Sequence, residues 1–293
     1  MKKSLKEKSA DTALYLFMIL IIVITLYPFY YCLVMSFNNG HDSNRGGIYL
    51  FPRVFTLANY EVAFQNHQMG KALLVTTART VVGTLSSVLF TAAVAYGLSK
   101  ENLMFRKFYM IMGITTMYFS GGLIPFYFVL KSLSMLNTFM VFIIPNLFGF
   151  FNAILFIAFF KNIPASLKEA ARIDGASEAF VFFRIVLRLS TPILATIALF
   201  NGIGQWNSWF DSQFFTTNPN LKTLQLILFE TIALAAGQEK LKQQLGVTNE
   251  SAAYTLESIR YATMMIAIGP IIAIYPFITK YFTKGIMLGA VKG

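Results

Sequence analysis

Residues that carry catalysis, metal binding and disulfide formation are scarce in this sequence of 293 residues. Its one cysteine, Cys32, excludes an intramolecular disulfide. Its two histidines, His41 and His67, fall in one predicted loop, and no His, Cys and acidic residues have metal-site spacing. The sequence also lacks a GxxxxGK[ST] phosphate-binding loop and any Ser/His/Asp or Cys/His set with a usable placement. We therefore predict a chain that is not an enzyme and binds no metal or cofactor itself.

Charged residues are also scarce, and acidic ones most of all. Only 13% of the residues are charged, with 13 Asp and Glu against 24 Lys and Arg, while 56% are hydrophobic. This composition excludes an ordinary soluble domain and indicates an integral membrane protein. The net charge of +11 would also suit a nucleic-acid partner. However, no basic stripe with interleaved aromatic residues lies outside the apolar runs, so we expect none.

Six apolar runs are long enough to cross a bilayer, which takes about 20 residues. Each must be helical, because backbone groups in hydrocarbon have no water to bond. The first run is too long for a cleaved signal peptide, so we expect it to be retained. The prediction is an all-α membrane domain over 12–283 between short tails at 1–11 and 284–293. The six spans fall near 12–37, 72–99, 108–130, 138–160, 189–210 and 261–283.

The distribution of basic residues predicts the orientation of these spans. With the N-terminus inside, 15 of the 24 Lys and Arg residues lie in inner segments and 8 in the longer outer ones. Both termini are therefore predicted to be cytoplasmic. The outer segment 211–260, expected to be helical around 222–236 and 238–245, is too long for a mere connector. We expect it to contact an extracytoplasmic partner.

The polar segment 164–188 interrupts the apolar runs on the predicted inner side and suggests two short helices joined by a turn. Ser166 and Glu169 have the spacing of a capping box at the start of the first helix. Asp174 and Gly175 supply turn chemistry, with Gly175 free to take a positive φ. Ser177 is suited to cap the second helix. An apolar stripe on that helix would consist of Phe180, Phe183 and Leu187.

The order Glu169-Ala170-Ala171, Gly175, then Ile185 and Leu187 resembles the EAA loop of bacterial ABC importer permeases. In that family the loop is a coupling helix, here placed between spans four and five, that lies in a cleft of the ATPase subunit. The alternative is that Glu169 only caps its helix and the alanines only favour helicity. The residues that the resemblance assigns to ATPase coupling are Glu169, Ala170, Ala171, Asp174, Gly175 and Ala176.

The resemblance extends along the chain, through FSGGLIPFYFVLKSLSMLNT at 119–138 and ITKYFTKGIMLGAVKG at 278–293. Both stretches are similar to carbohydrate-importing permeases of the maltose-transporter type, in particular the maltose-G-like subunits of the branch for complex oligosaccharides and polysaccharides. This implies a bacterial plasma membrane location, a second homologous permease subunit and a solute-binding protein outside the membrane. It also implies two ATPase subunits that bind ATP and Mg, and an oligosaccharide or polysaccharide substrate.

One position departs from the family pattern, which usually has a proline where this chain has Arg188. Because no backbone N–H is lost at 188, we expect the helix to continue unkinked into the fifth span. Arg188 could then face lipid headgroups or an acidic group of the ATPase.

Two further features of the spans allow a functional and a structural interpretation. Arg79 lies about two turns inside the second span, where an ionisable group indicates a functional site unless it snorkels to the interface. Gly121, Gly122 and Pro125 predict a break in the third span, which would either line a cavity or serve helix packing. Apart from Arg79, no charge near the midplane suits ion coupling, which disfavours the alternative of a self-contained secondary transporter.

The fifth span carries a polar stripe that we predict to line the substrate path. On a continuous helix Asn201, Gln205, Ser208 and Ser212 fall within one narrow sector, with Trp209 at its border. Amides and hydroxyls facing lipid would be unpaired at a cost of about 1–3 kcal/mol each, so the stripe should face protein or water. Sugar hydroxyls need such groups. The alternative is that the amides only join neighbouring helices.

Overall fold

The chain was analysed as a computed structural model that describes residues 5–65, 67–245 and 254–290. Its side chains are described over 8–65, 68–237 and 254–276. Within these ranges the secondary structure is helical, apart from an isolated antiparallel bridge between Asn38 and Phe55, which confirms the all-α prediction. Residues 1–4 and 291–293 of the predicted tails, and residues 246–253 of the predicted outer segment, lie outside the described residues.

Fifteen α-helices are assigned in the described residues, and four of them are only three or four residues long. Short 3₁₀ turns cover Ile144–Asn146 and Pro219–Leu221, and a π-helical segment covers Val181–Val186. The helices are α1 Leu5–Ser36, α2 Gly40–Ser43, α3 Ala58–Gln65, α4 His67–Ser99, α5 Arg106–Tyr118, α6 Leu123–Ser132, α7 Met140–Ile143, α8 Phe150–Lys161, α9 Ala165–Ile173, α10 Glu178–Phe180, α11 Leu187–Leu189, α12 Thr191–Asn207, α13 Phe210–Phe215, α14 Leu224–Leu245 and α15 Leu256–Ala290.

Long apolar helices are the main feature of the described chain. Three are long and apolar enough to cross a membrane alone, over Lys8–Ser36, Gln68–Ser99 and Leu256–Pro276. Three bent pairs bring the total to as many as six if each pair is one span. The pairs are α5 with α6 at 118°, Met140–Asn146 with α8 at 50°, and Glu178–Leu189 with α12 at 81°.

The predicted break in the third span is confirmed. Helix α5 ends at Tyr118 and α6 begins at Leu123, after Gly122 with a φ of +82°. The two helices differ in direction by 118°. The glycine pair therefore separates the apolar run into two helices.

The expectation of an unkinked helix into the fifth span is wrong. The chain turns by 81° between Glu178–Leu189 and α12, at Ser190. Pro192 explains the turn, because a proline has no N–H to donate to the carbonyl four residues earlier, at Arg188. The Thr191 hydroxyl donates to that carbonyl instead, at 2.8 Å. Pro192, four residues beyond Arg188, thus bends the chain even though position 188 itself is not a proline.

The chain divides into two compact units, of which the second holds Gln68–Ile227 and the described part of Pro270–Gly293. Its main core packs large aromatic side chains against alanines. Phe156 and Phe160 are fully buried together with Ala92, Ala95 and Ala153. Small residues let neighbouring helices approach closely, which is how membrane helices gain packing energy.

The first unit holds the described parts of Met1–His67 and Leu228–Gly269. Asn59 of α3 is fully buried and forms hydrogen bonds to three residues of this unit. Its amide donates to the carbonyls of Ser36 and Asn38 at 3.0 and 2.8 Å, and it accepts from the Ser258 hydroxyl at 2.8 Å. Asn59 thereby holds the short helix α3, Ala58–Gln65, against the end of α1 and the start of α15.

Candidate functional site

The Arg79 side chain is buried on α4, with 1% of its surface exposed. Its Nη2 forms an ion pair with Asp211 Oδ2 at 2.7 Å, and its Nε and Nη2 both donate to Gln205 Oε1, at 3.1 and 2.9 Å. The guanidinium also lies over the Phe142 ring, 4.6 Å from its centroid. A buried charge is tolerated only when it is paired and hydrogen-bonded, as here. The snorkelling alternative for Arg79 is therefore wrong.

Arg79 also explains where α12 ends. The helix stops at Asn207, and Ser208 has an extended backbone with φ −76° and ψ 121°. The Ser208 carbonyl accepts from Arg79 Nη1 at 3.3 Å and from the Thr223 hydroxyl at 3.4 Å. These donors satisfy a carbonyl that a continuing helix would have satisfied itself.

Gln205 fits against α4 because residue 83 is a glycine. A Cβ at Gly83 would lie 2.8 Å from Gln205 Nε2 and 2.9 Å from its Cδ. Gly83 lies one turn after Arg79 on the same face of α4. The Gln205 amide is thereby held between Arg79 and the Phe142 carbonyl, to which its Nε2 donates at 3.4 Å.

A cavity of about 320 Å³ lies beside this network. Asn152 and Asn201 both line it, and Asn152 Nδ2 contacts Asn201 Oδ1 at 3.5 Å. Asn201 Nδ2 is buried without a hydrogen-bond partner in the described structure. Apolar walls are supplied by Phe148 and Phe200. Besides Arg79, the polar lining consists of Ser87, Asn146, Asn152, Asn201, Gln205 and Ser208.

The predicted path residues separate into two groups. Asn201, Gln205 and Ser208 line the cavity, whereas Trp209 and Ser212 are not among the lining residues. The assumption of a continuous helix is wrong from Ser208 onward, so the angular positions of the later residues do not hold. Ser212 is fully buried, donates to the Leu221 carbonyl at 3.1 Å and serves the fold of the next loop. The Trp209 ring contacts Phe210 edge to face, at an interplanar angle of 70°, and is tilted by 45° against Phe214.

Sequence reasoning missed Asp211. The signal was present, because a charge buried in a span requires an opposite charge and Arg79 lies well inside the second predicted span, whereas Lys280 lies near the end of the sixth. Asp211 is an acidic residue at the outer end of the fifth span, between Ser208 and Ser212 of the polar stripe. A search for the partner of Arg79 among acids near the span ends would have identified it.

The segment 164–188 forms the two predicted helices and their turn. Gly175 has a φ of +81°, and the N–H groups of Gly175 and Ala176 donate to the carbonyls of Arg172 and Ala171. This is a Schellman motif, in which a glycine in the left-handed region ends the helix. Ser177 caps the second helix by accepting from the Phe180 N–H at 3.2 Å.

Two details of this segment correct the sequence prediction. The first helix begins at Ala165 with Pro164 at the N-cap, so Ser166 lies inside the helix and the capping box does not form. Pro164, with a φ of −51°, starts the helix two residues before the predicted cap. On the second helix Phe180 and Phe183 are exposed, and the buried residues are Val181, Phe182 and Val186.

The residues assigned to ATPase coupling lie on two sides of α9 and its turn. Glu169, Ala170, Asp174 and Gly175 are exposed. Ala171 and Ala176 pack against the core of the second unit. Ile173, at 86% exposure, adds an apolar side chain to the open surface. The surface of α9 and its turn thus presents two carboxylates beside an exposed apolar side chain.

Glu178 joins this segment to the end of α4 and was not predicted from the sequence. Its carboxylate pairs with Lys100 Nζ and Arg172 Nη2, each at 2.8 Å, and accepts from the Tyr96 hydroxyl at 2.8 Å. The Lys100 hydrogen bond is the largest cause that lowers the pKa of Glu178 from its ordinary 4.5 to about 2, with Tyr96 and the nearby charges adding to it. Glu178 is therefore ionised at neutral pH.

Comparison with known proteins identifies relatives along the full chain, although no family model matches. The chain is 34% identical over 289 residues to a polygalacturonan/rhamnogalacturonan transport system permease protein, YtcP, of Bacillus subtilis (strain 168), covering 99% of this chain and 100% of YtcP. It is 37% identical to Protein LplC of the same organism, covering 92% and 90% of the two chains.

A solved structure agrees. The chain superposes with a TM-score of 0.85 and 27% identity on a chain of a bacterial ABC transporter involved in the import of the acidic polysaccharide alginate. The match covers 96% of this chain and 99% of the other. The apolar helices of the present chain, together with these relatives, also support a multi-pass protein of the inner membrane. The chain belongs to the permease subunits of sugar-importing ABC transporters.

Proposed function

We propose that this chain forms, with a second homologous permease, the path by which an oligosaccharide derived from a complex polysaccharide crosses the plasma membrane. Two partner ATPase subunits, which bind ATP and Mg, would drive the cycle, and an extracytoplasmic solute-binding protein would deliver the sugar. The names of YtcP and of the alginate importer, which both concern polysaccharides, favour this substrate class.

The observation that carries the proposal is the amide-lined cavity beside Arg79. Its volume of about 320 Å³ falls within the range of small-molecule sites. Each amide offers both donors and acceptors, which suits the hydroxyl groups of a sugar. Asn201 Nδ2 is a buried donor without a partner in the described structure, and a sugar oxygen would accept from it once the amide turns toward the cavity.

The charge of the cavity narrows the ligand chemistry. Arg79 is the one charged residue of the described lining, and Asp211 neutralises it at 2.7 Å. The cavity of this chain therefore suits the hydroxyl face of a sugar better than a carboxylate. Acidic groups of a uronic oligosaccharide would be bound elsewhere along the path.

We further propose that the exposed surface of α9 and its turn contacts an ATPase subunit on the cytoplasmic side, with both termini also cytoplasmic. Glu178 would carry the movement of this segment to α4, through Tyr96 and Lys100. Arg79 lies 17 residues before Tyr96, about 25 Å along the helix. A shift of α4 would thus displace the Arg79–Gln205 network at the cavity.

The outer segment 211–260 is proposed to dock the solute-binding protein. Its described part includes α13 and α14. The stretch 246–253 lies outside the described residues. Within this segment Ser212, which the sequence assigned to the path, donates to the Leu221 carbonyl and accepts from the Thr223 N–H.

Uptake measurements test the cavity assignment. Asn201→Leu and Asn152→Leu remove the lining amides, and Asn207→Leu removes an exposed amide from the same helix α12, outside the cavity. The reconstituted complex would be assayed with oligogalacturonides and alginate oligosaccharides. We expect the two lining variants to lose uptake or change substrate range with normal assembly, while Asn207→Leu behaves as wild type. Unchanged uptake in both lining variants would contradict the assignment.

A further inference from the structure

The loop that follows α1 has a strongly exposed apolar tip. Tyr49, Leu50 and Phe51 have exposed fractions of 65%, 59% and 77%. Three consecutive apolar side chains in the open are unusual for a loop in water, where turn residues are mostly polar. An apolar environment around the tip would remove this exposed surface from water.

The loop that carries this tip is held in place by specific contacts. Arg53 Nη1 pairs with Asp42 Oδ1 at 3.1 Å, and its Nη2 donates to the Gly46 carbonyl at 2.8 Å. The Val54 N–H donates to Asn38 Oδ1 at 3.0 Å. Ile48, next to the tip, is buried against the end of α1. These contacts fix the conformation of the loop, and in that conformation the tip is exposed.

One hydrogen bond fixes the depth of the tip relative to α1. The Tyr30 hydroxyl donates to the Leu50 carbonyl. Tyr30 precedes the end of α1 at Ser36 by six residues, so the loop turns back about 9 Å along the helix. Tyr27 and Tyr31 share this level with Tyr30, and tyrosines collect at the boundary between lipid headgroups and hydrocarbon.

We propose that Tyr49–Phe51 is a membrane anchor that inserts into the lipid interface beside α1. The aromatic and leucine side chains have the chemistry of interfacial anchors, which enter the headgroup–acyl boundary by about 5–10 Å. Arg45, which is exposed, and Arg53, which is 46% exposed, lie on the same loop and suit lipid phosphates. The anchor fixes the loop against the bilayer and does not depend on the proposed substrate.

Spin labels test this proposal in the assembled transporter, reconstituted in nanodiscs of phosphatidylethanolamine and phosphatidylglycerol. In a Cys32→Ser background, labels would be attached through Leu50→Cys or Phe51→Cys, with Asn44→Cys on the exposed part of the same loop as control. We measure the collision of each label with oxygen, which concentrates in lipid, and with a nickel chelate, which stays in water.

The expected result is a severalfold higher oxygen-to-nickel ratio at 50 and 51 than at 44. Two results would overturn the proposal. A ratio equal to that at 44 would place the tip in water, and shielding from both reagents would place it against the second permease or another chain. Two label sites keep the test valid if one variant fails to assemble.

Discussion

Breaking the Arg79–Asp211 pair is the sharpest perturbation that the structure offers. Arg79 is 1% exposed and the Asp211 side chain 15% exposed, so the pair is shielded from water. Asp211→Asn keeps the size of the side chain and removes its charge. Arg79 would retain Gln205 and the Ser208 carbonyl but lose its counter-ion.

The expected cost is about 3–5 kcal/mol, the range for removing one member of a buried pair. Arg79→Met combined with Asp211→Asn should cost less than either change alone, because no uncompensated charge stays buried. Arg53→Met is the matched control, since Arg53 pairs with Asp42 but is 46% exposed. An exposed pair contributes less than about 1 kcal/mol.

Thermal unfolding of the purified complex, with the assembled fraction measured beside it, checks this prediction. We expect Asp211→Asn to lower the Tm by several degrees, the double variant to recover part of the loss, and Arg53→Met to change little. Additive effects of the two single changes, or an unchanged Tm in Asp211→Asn, would refute the pairing argument.

Three further changes have defined outcomes. Gly83→Ala should displace Gln205, because the new Cβ would lie 2.8 Å from its Nε2, and should reduce uptake with normal assembly; Gly97→Ala, which meets nothing within 4 Å, is the control. Gly175→Val should cost about 1–2 kcal/mol in the left-handed region and reduce copurification of the ATPase; a normal yield of the complex would argue against it. Glu178→Gln should leave the Tm nearly unchanged, because its ion pairs are half exposed, but reduce uptake per ATP hydrolysed. The low pKa of Glu178 makes a contribution to stability that is present above pH 4.5 and is lost as the pH falls toward 2, and the half exposure of its ion pairs keeps that contribution small. Uptake should therefore show no effect of Glu178 titration near neutral pH.

Local patterns in the sequence predicted the helical class and the turn at Gly175 because both depend on neighbouring residues. A long apolar run must be helical in lipid, and an Asp-Gly turn favours a positive φ. The break at Gly122 was predicted for the same reason. Each of these features follows from a few adjacent residues and needs no tertiary contact.

The errors arose where a helix begins or ends. Pro164 moved the start of α9 and so removed Ser166 from the cap. Pro192 bent the chain although Arg188 has an N–H of its own. The end of α12 depends on Arg79, a residue more than a hundred positions earlier, which donates to the Ser208 carbonyl. Helical periodicity cannot predict such a contact, and the positions of Trp209 and Ser212 were wrong for this reason.

The central claim is that the Asn201 cavity belongs to a water-filled path whose access the ATPases control. It is tested most directly by labelling a cysteine at this position, in Cys32→Ser/Asn201→Cys, with a water-soluble maleimide in the reconstituted complex. The account predicts that the cysteine reacts, and that its reaction rate differs between the nucleotide-free complex and the complex trapped with vanadate after ATP hydrolysis. A cysteine that stays unreactive in both states, in a complex with normal ATPase activity, would contradict it.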